Sequence, residues 1–208
     1  MRSTPILLLL AFGGLLLSSC ADLNDPTFTV EPGKTGAVAT AGDPASSVYI
    51  NEQVIHSLNP ANARIVIDLS DQKARVYRTS GGGRELAIET PVSTGMKGKE
   101  TPTGEYKILE KLRNKESNLY GVWVDGETGE LLARDGDSRD RPSGGDGGAQ
   151  FQGAPMPYWL KVTPGGAGMH VGYVANNPVS HGCIRVPRRA QALIFEKVGV
   201  GTPVSIVL

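Results

Sequence analysis

The sequence predicts a mainly β domain, and three observations carry that prediction. Apolar and polar residues alternate in short runs, turn residues separate the runs, and one stretch alone shows a helical period. Composition agrees: 27 glycines and 14 prolines in 208 residues exceed an average glycine usage of about 7% and suit a turn-rich chain.

The pattern opens at Arg64–Leu69 (RIVIDL), which turns at Ser70-Asp71-Gln72 into Lys73–Arg78 (KARVYR). Gly81-Gly82-Gly83 reverses the chain into Glu85–Thr90, where Leu86 and Ile88 alternate with polar neighbours. Further strands are expected at Tyr106–Leu109, Val122–Val124, Tyr158–Val162, Met169–Val174 and Val204–Leu208. The one expected helix has Pro187 in its first turn, Ala190, Leu193, Ile194 and Val198 on one apolar face, and Gly199 at its end. About eight strands and one helix make a domain of about 145 residues, placed at 61–208. Within it, the polar, Gly-rich segment 125–157 is long for a loop in a compact domain. A lid is the functional reading; a tolerated disordered insertion is the plain one.

The N-terminus reads differently. Arg2 precedes a twelve-residue apolar run, Ile6–Leu17, shorter than the roughly 18 to 20 residues of a membrane-spanning helix. It fits a signal-peptide core, with residues 1–19 as the leader. Leu17-Ser18-Ser19-Cys20 resembles the bacterial lipobox, so Cys20 is expected to carry lipid. Ala21 rather than Asp follows it, which by resemblance to lipoprotein sorting favours the outer membrane of a two-membraned bacterium. Residues 20–60 have linker composition and read as a flexible tether, with 48–58 able to dock as a strand or helical turn and His56 incidental.

Charge and cysteine usage exclude several classes. With 21 Lys+Arg against 21 Asp+Glu the formal charge is zero, and there is no basic stripe to neutralise phosphates, so nucleic acid is not a partner. Two cysteines allow at most one disulfide. Asp135, Asp137, Asp140 and Asp146 suggest a calcium loop, but Arg139 takes a ligand position and Asp140 the place of the obligatory glycine. Gly95–Glu100 lacks the Ser/Thr of a phosphate loop. The three histidines show no zinc spacing.

The chemistry concentrates in Met169–Val186, which gathers His170, Ser180, His181, Gly182, Cys183 and Arg185. A thiol that attacks an acyl carbon needs an imidazole to take its proton, room beside it, and donors for the developing oxyanion. His170 or His181, Gly182, and the amides of Gly182 and Cys183 are available for those tasks. From the residues alone, a buried cysteine beside a core histidine remains an open alternative.

Ser180-His181-Gly182-Cys183-Ile184-Arg185 with the upstream His170 resembles the signature of the L,D-transpeptidase catalytic domain (YkuD family). Pro91-Val92-Ser93-Thr94-Gly95, Thr101-Pro102-Thr103-Gly104 and Met156-Pro157-Tyr158-Trp159 resemble further segments of that family in the same order. The resemblance implies a β-sandwich of mixed sheets with one or two short helices. It implies Cys183 as nucleophile, His170 as base, Gly182, His181 and Ser180 as residues shaping the site and its oxyanion pocket, and Arg185, Tyr158 and Trp159 as substrate-binding residues. Val171 stands where glycine often follows the histidine, and only 13 positions separate His170 from Cys183. No cofactor or metal is implied. The implied partners are peptidoglycan stem peptides, the membrane through the lipid anchor, and an amine acceptor such as a second stem or a lipoprotein lysine. A cysteine hydrolase on the same stems and a non-catalytic wall-binding lipoprotein are the competing readings.

Overall fold

The computed structural model describes residues 47–143 and 147–208. The expected leader and Cys20 lie outside the described residues. Thirteen strands and two helices, more than the sequence pattern suggests, form three sheets among the described residues.

The first sheet contains β1 (Tyr49–Ile50), β2 (Ala63–Asp68), β3 (Lys73–Ser80), β4 (Gly83–Pro91), β5 (Gly104–Lys107) and β13 (Pro203–Val207), in the order β1-β4-β3-β2-β13-β5. The alternation in RIVIDL works as expected: Ile65 and Ile67 are fully buried while Arg64 and Val66 are half-buried. Asp68 closes the β2–β3 turn by accepting from the Ser70 amide at 3.0 Å and the Ser70 hydroxyl at 2.7 Å. Gly81 (φ 59°) and Gly82 (φ 84°) join β3 to β4. Positive φ at both centres is the hairpin turn that matches strand twist.

The second sheet contains β6 (Glu110–Leu112), β10 (Trp159–Lys161), β11 (Gly168–Val171) and β12 (Ile184–Val186), in the order β12-β11-β10-β6. Ile65, Ile67, Val76, Ile88 and Ile206 of the first sheet share one core with Leu160, Met169, Ile184 and Val186 of the second. This is the β-sandwich. Between the leading strands lies α1 (Glu52–Ile55), capped by Asn51, whose side chain accepts from the Gln53 and Val54 amides. Val54, Ile55 and Leu58 are buried in the same core. The packed domain therefore begins ahead of residue 61, and the end of the expected tether is part of it.

Helix α2 (Arg188–Lys197) follows Pro187 as its sequence suggests, with Ala190, Ile194 and Val198 fully buried. Its end differs from expectation. Val198 leaves the helix in extended backbone, and the left-handed glycine of the following turn is Gly201 (φ 93°), not Gly199.

The Gly-rich segment is not a structureless loop. β7 (Glu116–Asp125), β8 (Leu131–Asp137) and β9 (Ala149–Pro155) form a third, antiparallel sheet in the order β8-β7-β9. Trp123 and Phe151 meet edge to face at 5.3 Å inside it. Two glycines of this sheet are close-approach positions. A Cβ on Gly121 would lie 2.0 Å from the Gln152 carbonyl oxygen, and one on Gly153 would lie 2.1 Å from that of Ser117.

Candidate active site

The outer face of the second sheet builds the site. Leu160, Met169 and Ile184 point into the core, so by strand alternation Trp159, His170 and Arg185 face the other way. His170 pairs with Arg185 in the parallel β11–β12 register, and Met169 pairs with Ile184. Cys183, immediately before β12, is thereby set beside the start of β11. Cys183, His170, Ser180, His181, Gly182, Arg185 and Trp159 all line one cavity of about 860 Å³. Residues 13 positions apart in the sequence converge because adjacent strands are about 4.8 Å apart.

His170 is 8% exposed and its Nδ1 donates to the Val171 carbonyl at 2.8 Å. That bond places the proton on Nδ1 and leaves Nε2 as the basic nitrogen. Backbone performs this orientation, so valine at position 171 does not disturb it. Burial lowers the His170 pKa to about 4, with Arg185 adding to the shift and the Val171 carbonyl opposing it. Burial also pushes the Cys183 thiol up, against a backbone hydrogen bond from Gly168 and the positive field of Arg185. At neutral pH the resting site thus holds a thiol and a neutral imidazole.

His181 occupies a different environment. Its ring stacks on Tyr120 of β7, with centroids 4.2 Å apart and planes 24° from parallel, and Lys99 Nζ lies 4.7 Å from the centre of the Tyr120 ring. Burial, then Lys99 and Arg185, lower its pKa, while Asp135 and Asp137 oppose them. The oriented imidazole is His170, and His181 joins the Ser180–Cys183 loop to the third sheet.

The loop is held by its own hydrogen bonds. Ser180 Oγ donates to the Cys183 carbonyl at 2.5 Å and accepts from the Gly182 amide at 3.1 Å. The Gly182 amide, an expected oxyanion donor, is therefore turned to its own loop, and the Cys183 amide is the remaining candidate. Gly182 adopts φ 111°, which only glycine takes without strain. Arg185 forms no ion pair among the described residues. Its aliphatic stem covers Gly172, where a Cβ would fall 2.9 Å from Arg185 Cγ.

Trp159 is 3% exposed, its indole N–H donates to Glu110 Oε1 at 2.9 Å, and its ring lies 6.2 Å from that of His170. Tyr158, expected beside it as a substrate-binding residue, does not line the cavity. Its backbone has φ 56°, its ring packs on Phe195 at 5.4 Å, and its carbonyl accepts from Gln191 Nε2 at 2.7 Å. One step along the chain turns a side chain to the opposite face, and α2 takes this one.

Sequence reasoning missed the supports. Thr101 Oγ1 donates to the Gly182 carbonyl at 2.9 Å and accepts from the Gly95 amide at 2.9 Å. Gly95 has no room for a side chain, since a Cβ would lie 2.0 Å from the Lys99 carbonyl oxygen. Thr94 takes the Val179 and Ser180 amides on its carbonyl and is itself held by buried Gln72. The segments Pro91–Gly95 and Thr101–Gly104 thus brace the Ser180–Cys183 loop. Their signal was the family likeness, because in composition they read only as turns.

A mixed β-sandwich that carries a thiol and an oriented imidazole in one open cavity defines a cysteine–histidine site on a β scaffold. Residues 62–206 match the L,D-transpeptidase catalytic domain, YkuD, and the chain belongs to that family. No curated protein matches the chain. Among solved structures, an LD transpeptidase in complex with imipenem is similar at 25% identity and TM-score 0.51, over 70% of this chain and 59% of that one. L,D-transpeptidase 1 from Mycobacterium tuberculosis gives 25% identity and TM-score 0.46, over 70% and 62%. An L,D-transpeptidase from Mycobacterium smegmatis gives 23% identity and TM-score 0.48, over 70% and 58%. The chain spans about three fifths of the length of these structures.

Proposed function

We propose that the protein is a peptidoglycan L,D-transpeptidase that works through a Cys183 thioester. The observation that carries this reading is the His170 Nδ1 bond to the Val171 carbonyl, which leaves Nε2 as a base in the cavity that Cys183 lines. A binding module has no need of an oriented base beside a thiol.

In the first half-reaction His170 Nε2 takes the Cys183 proton, and the thiolate attacks the carbonyl of the third, diamino acid residue of a tetrapeptide stem. The Cys183 amide meets the oxyanion. The bond to the terminal residue then breaks, the imidazolium gives its proton to the leaving amine, and D-Ala departs, leaving a thioester. In the second half-reaction an amine attacks the thioester carbon and passes its proton to His170. The C–S bond breaks, and the thiolate regains a proton from the imidazolium. A second stem as acceptor gives a 3→3 cross-link, and a lipoprotein lysine gives a protein attachment.

The neutral resting pair keeps the thiol from reacting before substrate excludes water. The Val171 carbonyl stabilises the imidazolium when it forms, and Arg185, which forms no ion pair among the described residues, supplies a planar fork for a substrate carboxylate. The protein acts from the cell envelope, tethered through lipid on Cys20. Labelling with a fatty acid probe tests the anchor, since a Cys20→Ala variant that still takes up label removes it. Incubation of purified protein with tetrapeptide muropeptides, followed by mass spectrometry, tests the reaction. Cys183-dependent dimers support transfer, tripeptides point to hydrolysis, and no Cys183-dependent product overturns the enzymatic reading.

A further inference from the structure

One row of positions leads away from the thiol across the second sheet. Lys161 pairs with Gly168 on one side and with Glu110 on the other. Gly168 stands beside Cys183, one step ahead of the Met169–Ile184 pair. The row therefore reads Cys183, Gly168, Lys161, Glu110. At 4.7 to 4.9 Å per strand it places Lys161 about 10 Å and Glu110 about 14 Å from Cys183.

The row is built as a trough with a charged end. Gly168 contributes no side chain, and the space above it belongs to Trp159: a Cβ there would lie 2.7 Å from the indole Cη2. Cys183, Trp159, Lys161 and Glu110 all line the cavity, so an apolar indole separates the thiol from the two charges. Cross-strand neighbours of opposite charge ordinarily pair. These two do not: Glu110 spends one oxygen on the Trp159 indole, and Lys161 Nζ has no hydrogen bond or ion pair among the described residues. Both charges are half-buried and directed to the same space.

We propose that Lys161 and Glu110 form a specificity subsite that takes a zwitterionic end group, Lys161 its carboxylate and Glu110 its ammonium. This rests on the transpeptidase reading. The occupant is the side chain of the donor diamino acid, whose backbone carbonyl is bonded to Cys183 and whose far end runs over Trp159. The acceptor does not fit here, because its amine must reach the thioester carbon. A diamino acid that ends in an ammonium alone leaves Lys161 facing a like charge, so the pair discriminates by repulsion as well as attraction.

The test uses two tetrapeptide stems that differ only in the third residue, one with an amino-acid end group and one with lysine. The rate of Cys183 acylation is read by rapid-quench intact-protein mass spectrometry. Wild type favours the zwitterionic stem by about tenfold or more, the scale of a charge-assisted hydrogen bond. Lys161→Met brings the two rates to within about threefold. Glu110→Gln keeps an oxygen for the Trp159 indole and slows both stems, with the ratio retained. Thermal unfolding of each variant verifies that it is folded. Equal wild-type rates, or a ratio untouched by Lys161→Met, overturn the subsite and leave the transpeptidase reading standing. Acylation by neither stem overturns the reading itself, and the subsite with it.

Discussion

Thr101 and Gly182, 81 positions apart, are joined by a 2.9 Å hydrogen bond from the Thr101 hydroxyl to the Gly182 carbonyl, while the same hydroxyl accepts from the Gly95 amide. Thr101 is 3% exposed. Thr101→Val keeps the shape, removes both bonds, and leaves a buried amide and carbonyl unpaired. The expected cost is about 1–3 kcal/mol of stability, seen as a lower denaturant midpoint at unchanged slope. Turnover also falls, because the loop that presents Cys183 loses its brace; a variant as stable and active as wild type removes that role.

Tyr120 ties the third sheet to the loop that carries Cys183 through its stack on His181. Tyr120→Ala forfeits an aromatic pair worth about 0.5–1.5 kcal/mol. Transpeptidation is expected to weaken by about two- to tenfold, chiefly in KM, with the fold retained. Unchanged kinetics in steady-state assays argue against a role for this sheet as a wall of the site.

Stability should form a plateau between the ordinary pKa values of the two buried groups. The His170 pKa is lowered from 6.5 to about 4, so between these values the unfolded chain binds the extra proton. Stability is fully present above about 6.5 and is lost as pH falls toward 4. The Cys183 pKa is raised from 9.0, so its contribution is present below 9.0 and is lost as pH rises above it. Urea unfolding across pH checks both edges. In His170→Gln the acid edge flattens, and an acid edge identical to wild type assigns it to other groups.

The family likeness, and a relative solved in complex with imipenem, lead to a covalent test. Carbapenems are expected to acylate Cys183, raising the intact mass by one inhibitor and leaving Cys183→Ala unmodified. A wild-type mass that stays unchanged after prolonged exposure counts against a reactive thiol.

Much of the scaffold was legible because strand burial has a period of two. RIVIDL announced Ile65 and Ile67 as core, and Ser70-Asp71-Gln72 announced its own turn. The third sheet was hidden by its glycines. Gly121 and Gly153 sit where backbones approach too closely for a Cβ, and such a glycine looks the same in sequence as one in a loop. Tyr158 was misplaced for a related reason: a motif names neighbours along the chain, while a positive φ and strand alternation send those neighbours to opposite faces.

The sequence by itself determined the family, the cysteine, its candidate histidines and the β character, since these depend on local pattern and residue identity. Only the tertiary structure decided which histidine is oriented, that Gly182 gives its amide to Ser180, and that Lys161 and Glu110 share a cavity with the thiol. Those relations rest on strand register, a non-local property in which a shift of one residue reverses every side chain's face.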